Sequence, residues 1–187
     1  MSLMISEIRL PLLHEATCAK AAAETISYAT GECALGCVLV ARSVAGVCAV
    51  LIGAAKDELE AELADRFPEA GLVADEVAND DLTKVIRFVD KPAEGLHLQL
   101  DLRGTPFQRR VWEKLRAIPV GRTMSYMELA RRIGPFASAR AVAGACAANP
   151  IALAVPCHRV VRSNGDLAGY HWGVERKREL LRREAMA

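Results

Sequence analysis

The sequence predicts an α/β protein in two parts. A small N-terminal α/β domain spans residues 25–103, and a mostly helical C-terminal domain spans 104–187 and carries a helix-turn-helix and a cysteine placed for chemistry. Three observations support this. Two apolar, β-branched runs lie close together early in the chain, helix-capping signatures recur after Gly104, and the charge changes sign near residue 102.

Residues 1–24 are weakly patterned and read as a leader or the remnant of a linker. The runs LGCVLVARS at 35–43 and AGVCAVLIG at 45–53 are strands joined by a short turn of small residues, which makes a hairpin. A helix follows from about Asp57 to Phe67, with Leu59 and Leu63 on one face. A second, near 80–90, carries Leu82, Val85, Ile86 and Val89. The alternation HLQLDLRG at 97–104 predicts a further strand.

The C-terminal part opens on a well-marked helix. Thr105 caps it, Pro106 suits the first helical position, Gln108 completes a capping box, and Phe107, Val111 and Leu115 form its apolar stripe up to Pro119 and Gly121. Ser125 with Glu128 repeats the box and opens SYMELARRI, which Gly134 and Pro135 end. Ser138 starts ARAVAGACAA, which stops at Asn149 and Pro150. Two short helices joined by a tight turn are the helix-turn-helix pattern. The second has one long polar side chain, Arg140, among Ala, Gly, Val and Cys. It suits close approach to a narrow groove, or tight packing inside the domain, better than base reading by hydrogen bonds. Asn164 and Gly165 predict a hairpin turn that brings Tyr170 and His171 back toward Cys157. In the last helix, VERKRELLRREAMA, Leu180 and Leu181 face inward and the basic residues outward.

Residues 1–102 hold 8 Lys and Arg against 17 Asp and Glu, whereas residues 103–187 hold 16 against 6. A basic half suits a phosphate backbone, and an acidic half would confine a polyanion to one face; segregated solvated helices or an acidic protein partner are the other readings. No apolar run approaches the length of a membrane span and no export signal is recognisable, so a cytoplasmic location without membrane contact is expected. The cysteines at 18, 33, 37, 48, 146 and 157 are irregularly spaced, which favours reduced thiols. Cys33 and Cys37 lack a second pair at zinc-finger spacing.

Cys157 stands where the apolar run IALAVP ends and His158 and Arg159 begin. A thiol of pKa about 8.5 becomes a nucleophile when a base or a cation stabilises its anion. Pro156 turns the chain out of a strand just before it. On this run alone a buried, inert cysteine is an equal reading. Glu184 alone reads as a surface carboxylate near a helix C-terminus.

In order and spacing, PCHRVV, ARAVAGACAANP, SYMELA and AGYHWG resemble the O6-alkylguanine-DNA alkyltransferase family, and especially the C-terminal repair domain of the Ada adaptive-response protein. The resemblance covers about residues 25–185. It implies a ribonuclease-H-like N-terminal domain and transfer of an alkyl group from O6 of guanine, less readily O4 of thymine, to Cys157, once per molecule and with no cofactor or metal. It implies that His158 takes the thiol proton through a water, that Glu184 orients the imidazole, and that Asn149 holds the turn between recognition helix and active site. Tyr126 and Lys177 would assist the leaving guanine, and Tyr170, His171, Ala152 and the Val160 backbone would line the base pocket. Double-stranded DNA would be entered through the minor groove by a monomer. Arg140 would fill the gap left by a flipped alkylated nucleotide, with Ala139, Ala143, Gly144, Ser125 and Tyr126 at the same surface.

Two positions depart from the pattern. His171 replaces a small hydroxyl residue of some members, and Ala152 replaces a proline that meets bulky adducts. The family's zinc ligands, and Ada's phosphotriester-repair and regulatory domains, are not recognisable, so no transcriptional role follows. A lesion-binding module without transfer and a Cys-His thiol hydrolase are the competing functions.

Overall fold

The computed structural model describes residues 24–187. The leader reading for 1–24 lies, but for its last residue, outside them. The first element is β1 (Thr25–Cys33), followed by β2 (Gly36–Ser43) and β3 (Gly46–Gly53). Strands β2 and β3 form the expected antiparallel hairpin, with a register shift between Ala41 and Arg42. Along β2, Cys37 to Ala41 are buried without a break, so both faces of this strand are covered. The N-terminal part continues with α1 (Lys56–Arg66), β4 (Gly71–Ala74) and α2 (Asn79–Asp90). The sheet runs β3-β2-β1-β4, with β4 parallel to β1. Leu59 and Leu63 bury one face of α1, and Leu82, Val85, Phe88 and Val89 bury one face of α2.

The expected strand at 97–104 does not form. The segment is extended but makes a single bridge, Val47 to Leu100, held by Val47 N–H to the Gln99 carbonyl and Asp101 N–H to the Val47 carbonyl, each 2.8 Å. The reason lies in the outer edge of β3. Further along that edge, Val50 donates to the Pro150 carbonyl and Ala152 N–H returns to Val50, so two segments share one strand and neither extends a ladder. The alternation still has a physical meaning, because Leu96, Leu98, Leu100 and Leu102 pack against the core.

The remaining elements are α3 (Pro106–Arg116), β5 (Met124–Ser125), α4 (Tyr126–Ile133), α5 (Ala139–Ala147), β6 (Val160–Val161) and α6 (Val174–Glu184). Both capping boxes form, at Thr105–Gln108 and Ser125–Glu128, and Ser138 caps α5 through the Ala141 N–H. Helices α3, α4 and α5 pack on one another. Trp112 of α3 donates its indole N–H to the Ala145 carbonyl at 2.9 Å. At Asn164–Gly165 the chain does turn, with Arg162 N–H bonded to the Asp166 carbonyl, but no second strand follows. The buried face of α6 is Lys177, Leu180 and Glu184. Leu181 is half-buried, and one basic residue and one acidic residue therefore lie inward, contrary to the expected pattern. Buried side chains of the N- and C-terminal parts form one connected apolar core. Among the described residues no helix is long and apolar enough to cross a membrane, and the described cysteines are free thiols.

Candidate active site

Cys157 is presented by two consecutive tight turns. Leu153 has φ +65°, the one positive value outside glycine among the described residues, and Ala154 N–H bonds to the Ala152 carbonyl across it at 2.6 Å. A branched residue in that region costs on the order of 1–3 kcal/mol and persists only where its surroundings hold it. Pro156 then centres an inverse γ-turn, with φ −79°, ψ 66° and Cys157 N–H bonded to the Val155 carbonyl at 2.8 Å.

Asn149, fully buried, holds both turns. Its Oδ1 accepts from Ile151 N–H at 2.9 Å. Its Nδ2 faces the Val155 carbonyl at 2.8 Å, the Ile151 carbonyl at 3.3 Å and the Cys157 sulfur at 3.4 Å. Burial pushes the Cys157 thiol up, against the opposing hydrogen bond from Asn149 and the charge of Lys177. The resting group is therefore a thiol that needs a base at the moment of reaction.

His158 follows in the same short 3₁₀ turn, Cys157–Arg159, and is completely buried. Its Nε2 lies 2.8 Å from Oε1 of Glu184, itself buried on α6. Burial would raise the Glu184 carboxyl, but hydrogen bonds from His158 and Arg159 outweigh it and hold the pKa at about 2. A carboxylate accepts only, so the ring proton sits on Nε2 and the lone pair on Nδ1. That Nδ1 is buried with no hydrogen-bond partner among the described residues. Burial, more than the opposing Glu184, lowers the His158 pKa below 6.5, so the ring is neutral near pH 7 and able to take a proton.

Arg159 was a candidate for stabilising the thiolate, and the structure corrects this. Its guanidinium grips Glu184 through Nε at 2.9 Å and Nη2 at 2.8 Å, and donates through Nη1 to the Ile118 carbonyl at 2.5 Å. Gly121, expected only to end a helix, adds its N–H to Oε2 of Glu184 at 3.3 Å. Its φ is +71°, and a Cβ there would lie 2.9 Å from the Glu184 carbonyl oxygen. The surface reading of Glu184 fails for the same reason: four donors enclose it.

Cys157 opens onto a pocket of about 560 Å³, walled by Tyr126, by Ala139, Ala143 and Cys146 of α5, and by Tyr170 and His171. The site thus combines a thiol, a neutral imidazole with a free lone pair, and a carboxylate that fixes the ring, beside a cavity large enough for a small planar ligand.

Residues 106–186 match the family model described as 6-O-methylguanine DNA methyltransferase, DNA binding domain. The probable methylated-DNA--protein-cysteine methyltransferase of Acanthamoeba polyphaga mimivirus is 45% identical over 127 residues, 56% of this chain and 85% of that protein. The chain belongs to this methyltransferase family. The bifunctional transcriptional activator/DNA repair enzyme Ada of Escherichia coli (strain K12) is 49% identical over 161 residues, 86% of this chain. The chain spans about half of Ada's length, the match covering 46% of it. The crystal structure of Mycobacterium tuberculosis OGT in complex with DNA superposes with a TM-score of 0.66 at 34% identity, covering 86% of this chain and 93% of that one.

The other expected site residues divide clearly. Lys177, fully buried in this family member, donates to the Val160 carbonyl at 2.6 Å, and its Nζ lies 6.0 Å from the Tyr126 ring centre. Burial lowers its pKa. Burial likewise pushes the Tyr126 phenol up to about 12, so it remains a donor. Tyr170 meets the His158 ring edge-on at 6.4 Å, and its buried hydroxyl has no partner among the described residues.

Two expected pocket residues, Ala152 and Val160, do not line the cavity. Ala152 is fully buried in the contact with β3 and does not line the pocket. Val160 is buried with its carbonyl taken by Lys177, and Ser125 is occupied as the α4 cap. His171 is on the rim, but its Nε2 is turned to Glu62 at 2.9 Å rather than to the thiol. On α5, Ala139 and Ala143 wall the pocket while Arg140 and Gly144 are exposed beside them.

Proposed function

We propose that the protein repairs duplex DNA by moving an alkyl group from O6 of guanine, less readily from O4 of thymine, onto Cys157, where it stays. The observation that carries this reading is the Cys157 thiol facing the pocket next to His158, whose fixed Nε2–H leaves Nδ1 as the base. In the reaction Nδ1 takes the thiol proton through a bridging water. The thiolate forms a bond to the alkyl carbon as the carbon–O6 bond breaks, and the electron pair goes to the guanine, which recovers a proton. Tyr126, as a phenol, and the Lys177-braced Val160 segment steady the departing base. A thioether has no easy leaving reaction, so the protein is consumed.

Helices α4 and α5 form the helix-turn-helix, which enters the minor groove with the small residues Ala139, Ala143 and Gly144, while Arg140 occupies the space of the flipped nucleotide. The family relative solved with DNA supports DNA as the partner. Residues 104–187 form the DNA-binding and transfer domain and 25–103 the supporting α/β domain. The protein acts as a monomer in the cytoplasm. A retained thiol facing the pocket separates this reading from a lesion sensor. Titrating the protein with duplex DNA bearing O6-methylguanine tests it. Lesion loss should stop at one equivalent per protein; continued turnover or no loss at all would refute it.

A further inference from the structure

We infer that Glu62 and Arg66, on α1 and outside the pocket wall, are positioning residues that set which alkyl groups the pocket admits, an inference that rests on the alkyl-transfer reading above. The rim residue His171 is 39% exposed, and a side chain so placed ordinarily changes rotamer within nanoseconds. Here its Nε2 lies 2.9 Å from Oε1 of Glu62 and 3.1 Å from Nη2 of Arg66. Arg66 in turn donates to the same Glu62 oxygen through Nε at 2.9 Å and Nη2 at 2.6 Å. A protonated Nε2 donates to Glu62 and an unprotonated one accepts from Arg66, so the ring is tied in either tautomer.

The tie continues into the pocket wall. His171 meets Trp172 edge-on at 5.1 Å, Trp172 meets Tyr170 at 5.2 Å, and Tyr170 meets His158 at 6.4 Å. Two of these rings, His171 and Tyr170, line the cavity that holds Cys157. Helix α1 thereby fixes one side of the opening from a position 109 residues earlier in the chain. Leu59 and Leu63 anchor the helix to the sheet, while Glu62 and Arg66, one turn apart, occupy the adjacent flank. Release of His171 widens the opening and admits larger substituents on O6.

The test compares transfer to Cys157 from the free bases O6-methylguanine and O6-benzylguanine in the wild type and in Glu62→Ala, Glu62→Gln, His171→Ala and the Glu62→Ala/His171→Ala pair. Glu58→Ala, an exposed carboxylate on the same helix, is the control, and thermal melting confirms folding. Glu62→Ala removes the acceptor and also the ion-pair partner that holds Arg66 in place, so it should raise the benzyl-to-methyl rate ratio about fivefold, the scale of one hydrogen bond. Glu62→Gln, which keeps an acceptor oxygen, should restore the wild-type ratio. The double variant should gain no more than His171→Ala alone, because both act through one ring. A ratio unchanged by Glu62→Ala, or effects that add independently, would overturn the inference. If the wild type transfers no alkyl group, the functional reading fails separately. The inference is then judged by calorimetric binding of the two bases in a Cys157→Ser background, where Glu62→Ala must again favour the larger base.

Discussion

The imidazole of His158 donates through Nε2 to Oε1 of Glu184 at 2.8 Å, and neither side chain is more than 1% exposed. This pair decides where the ring proton sits, and so which nitrogen keeps its lone pair. Removing the carboxylate leaves the imidazole free to change tautomer and strands the buried Arg159. Glu184→Gln should slow single-turnover transfer by roughly 10²-fold. It should also destabilise the protein by about 3–5 kcal/mol, the scale for breaking a buried ion pair. Stopped-flow transfer and urea unfolding measure the two effects separately.

Asn149 joins both turns to the sulfur, so its loss should be felt in fold and rate together. Asn149→Ala leaves the buried Val155 carbonyl and Ile151 N–H without these partners. An unfolding free energy lower by about 2–3 kcal/mol is expected in chemical denaturation, with slower transfer.

The protein should lose stability on the acid side in two steps. For His158 the folded pKa lies below 6.5, because burial outweighs Glu184, and for Glu184 it lies at about 2, because hydrogen bonds outweigh burial. In both cases the unfolded chain binds the proton more readily. The His158 contribution is whole above pH 6.5 and declines below it. The Glu184 contribution is whole above pH 4.5 and is lost as the pH falls toward 2. Urea midpoints should fall from about pH 6.5 down to pH 2, and Glu184→Gln should flatten the part below pH 4.5.

The capping boxes at Thr105 and Ser125 were legible because a cap is a local bond between residues three apart, and both form as the pattern demands. Strand β1 was not, since TISYATGEC mixes exposed and half-buried positions and gives no clear period. Strand β4, four residues long, is identifiable only by its pairing with β1. In the site, Cys157 and His158 were visible as neighbours. Glu184 was visible only through family resemblance, because its burial depends on the register of α6, which turns Lys177, Leu180 and Glu184 to one side. The role of Arg159 was misread because sequence adjacency says nothing of the direction in which a guanidinium points. No local pattern ties Glu62 to His171.

Lys177 should tune the thiol from within the protein. Its positive charge opposes the upward push of burial on Cys157. Lys177→Met, close in volume, should therefore move the pH midpoint of Cys157 alkylation by iodoacetamide upward. A midpoint that stays put would show that the charge is not felt at the sulfur.

Arg140 is exposed beside the pocket wall, not in it. Arg140→Ala should lower transfer from duplex DNA by about tenfold or more, as expected when an inserted side chain no longer offsets unstacking. Transfer from the free base O6-benzylguanine should change far less, and parallel rate measurements on the two substrates distinguish a DNA role from a pocket role.

The proposed permanent acceptor is the sulfur of Cys157, next in the chain to the buried His158. Peptide mapping by mass spectrometry, after native protein has been mixed with duplex DNA containing O6-methylguanine, tests it most directly. One added methyl group on the peptide carrying Cys157, with unmodified guanine left in the DNA, is the predicted result; a native protein with Cys157 unmodified, or with the methyl group on another residue, would contradict it.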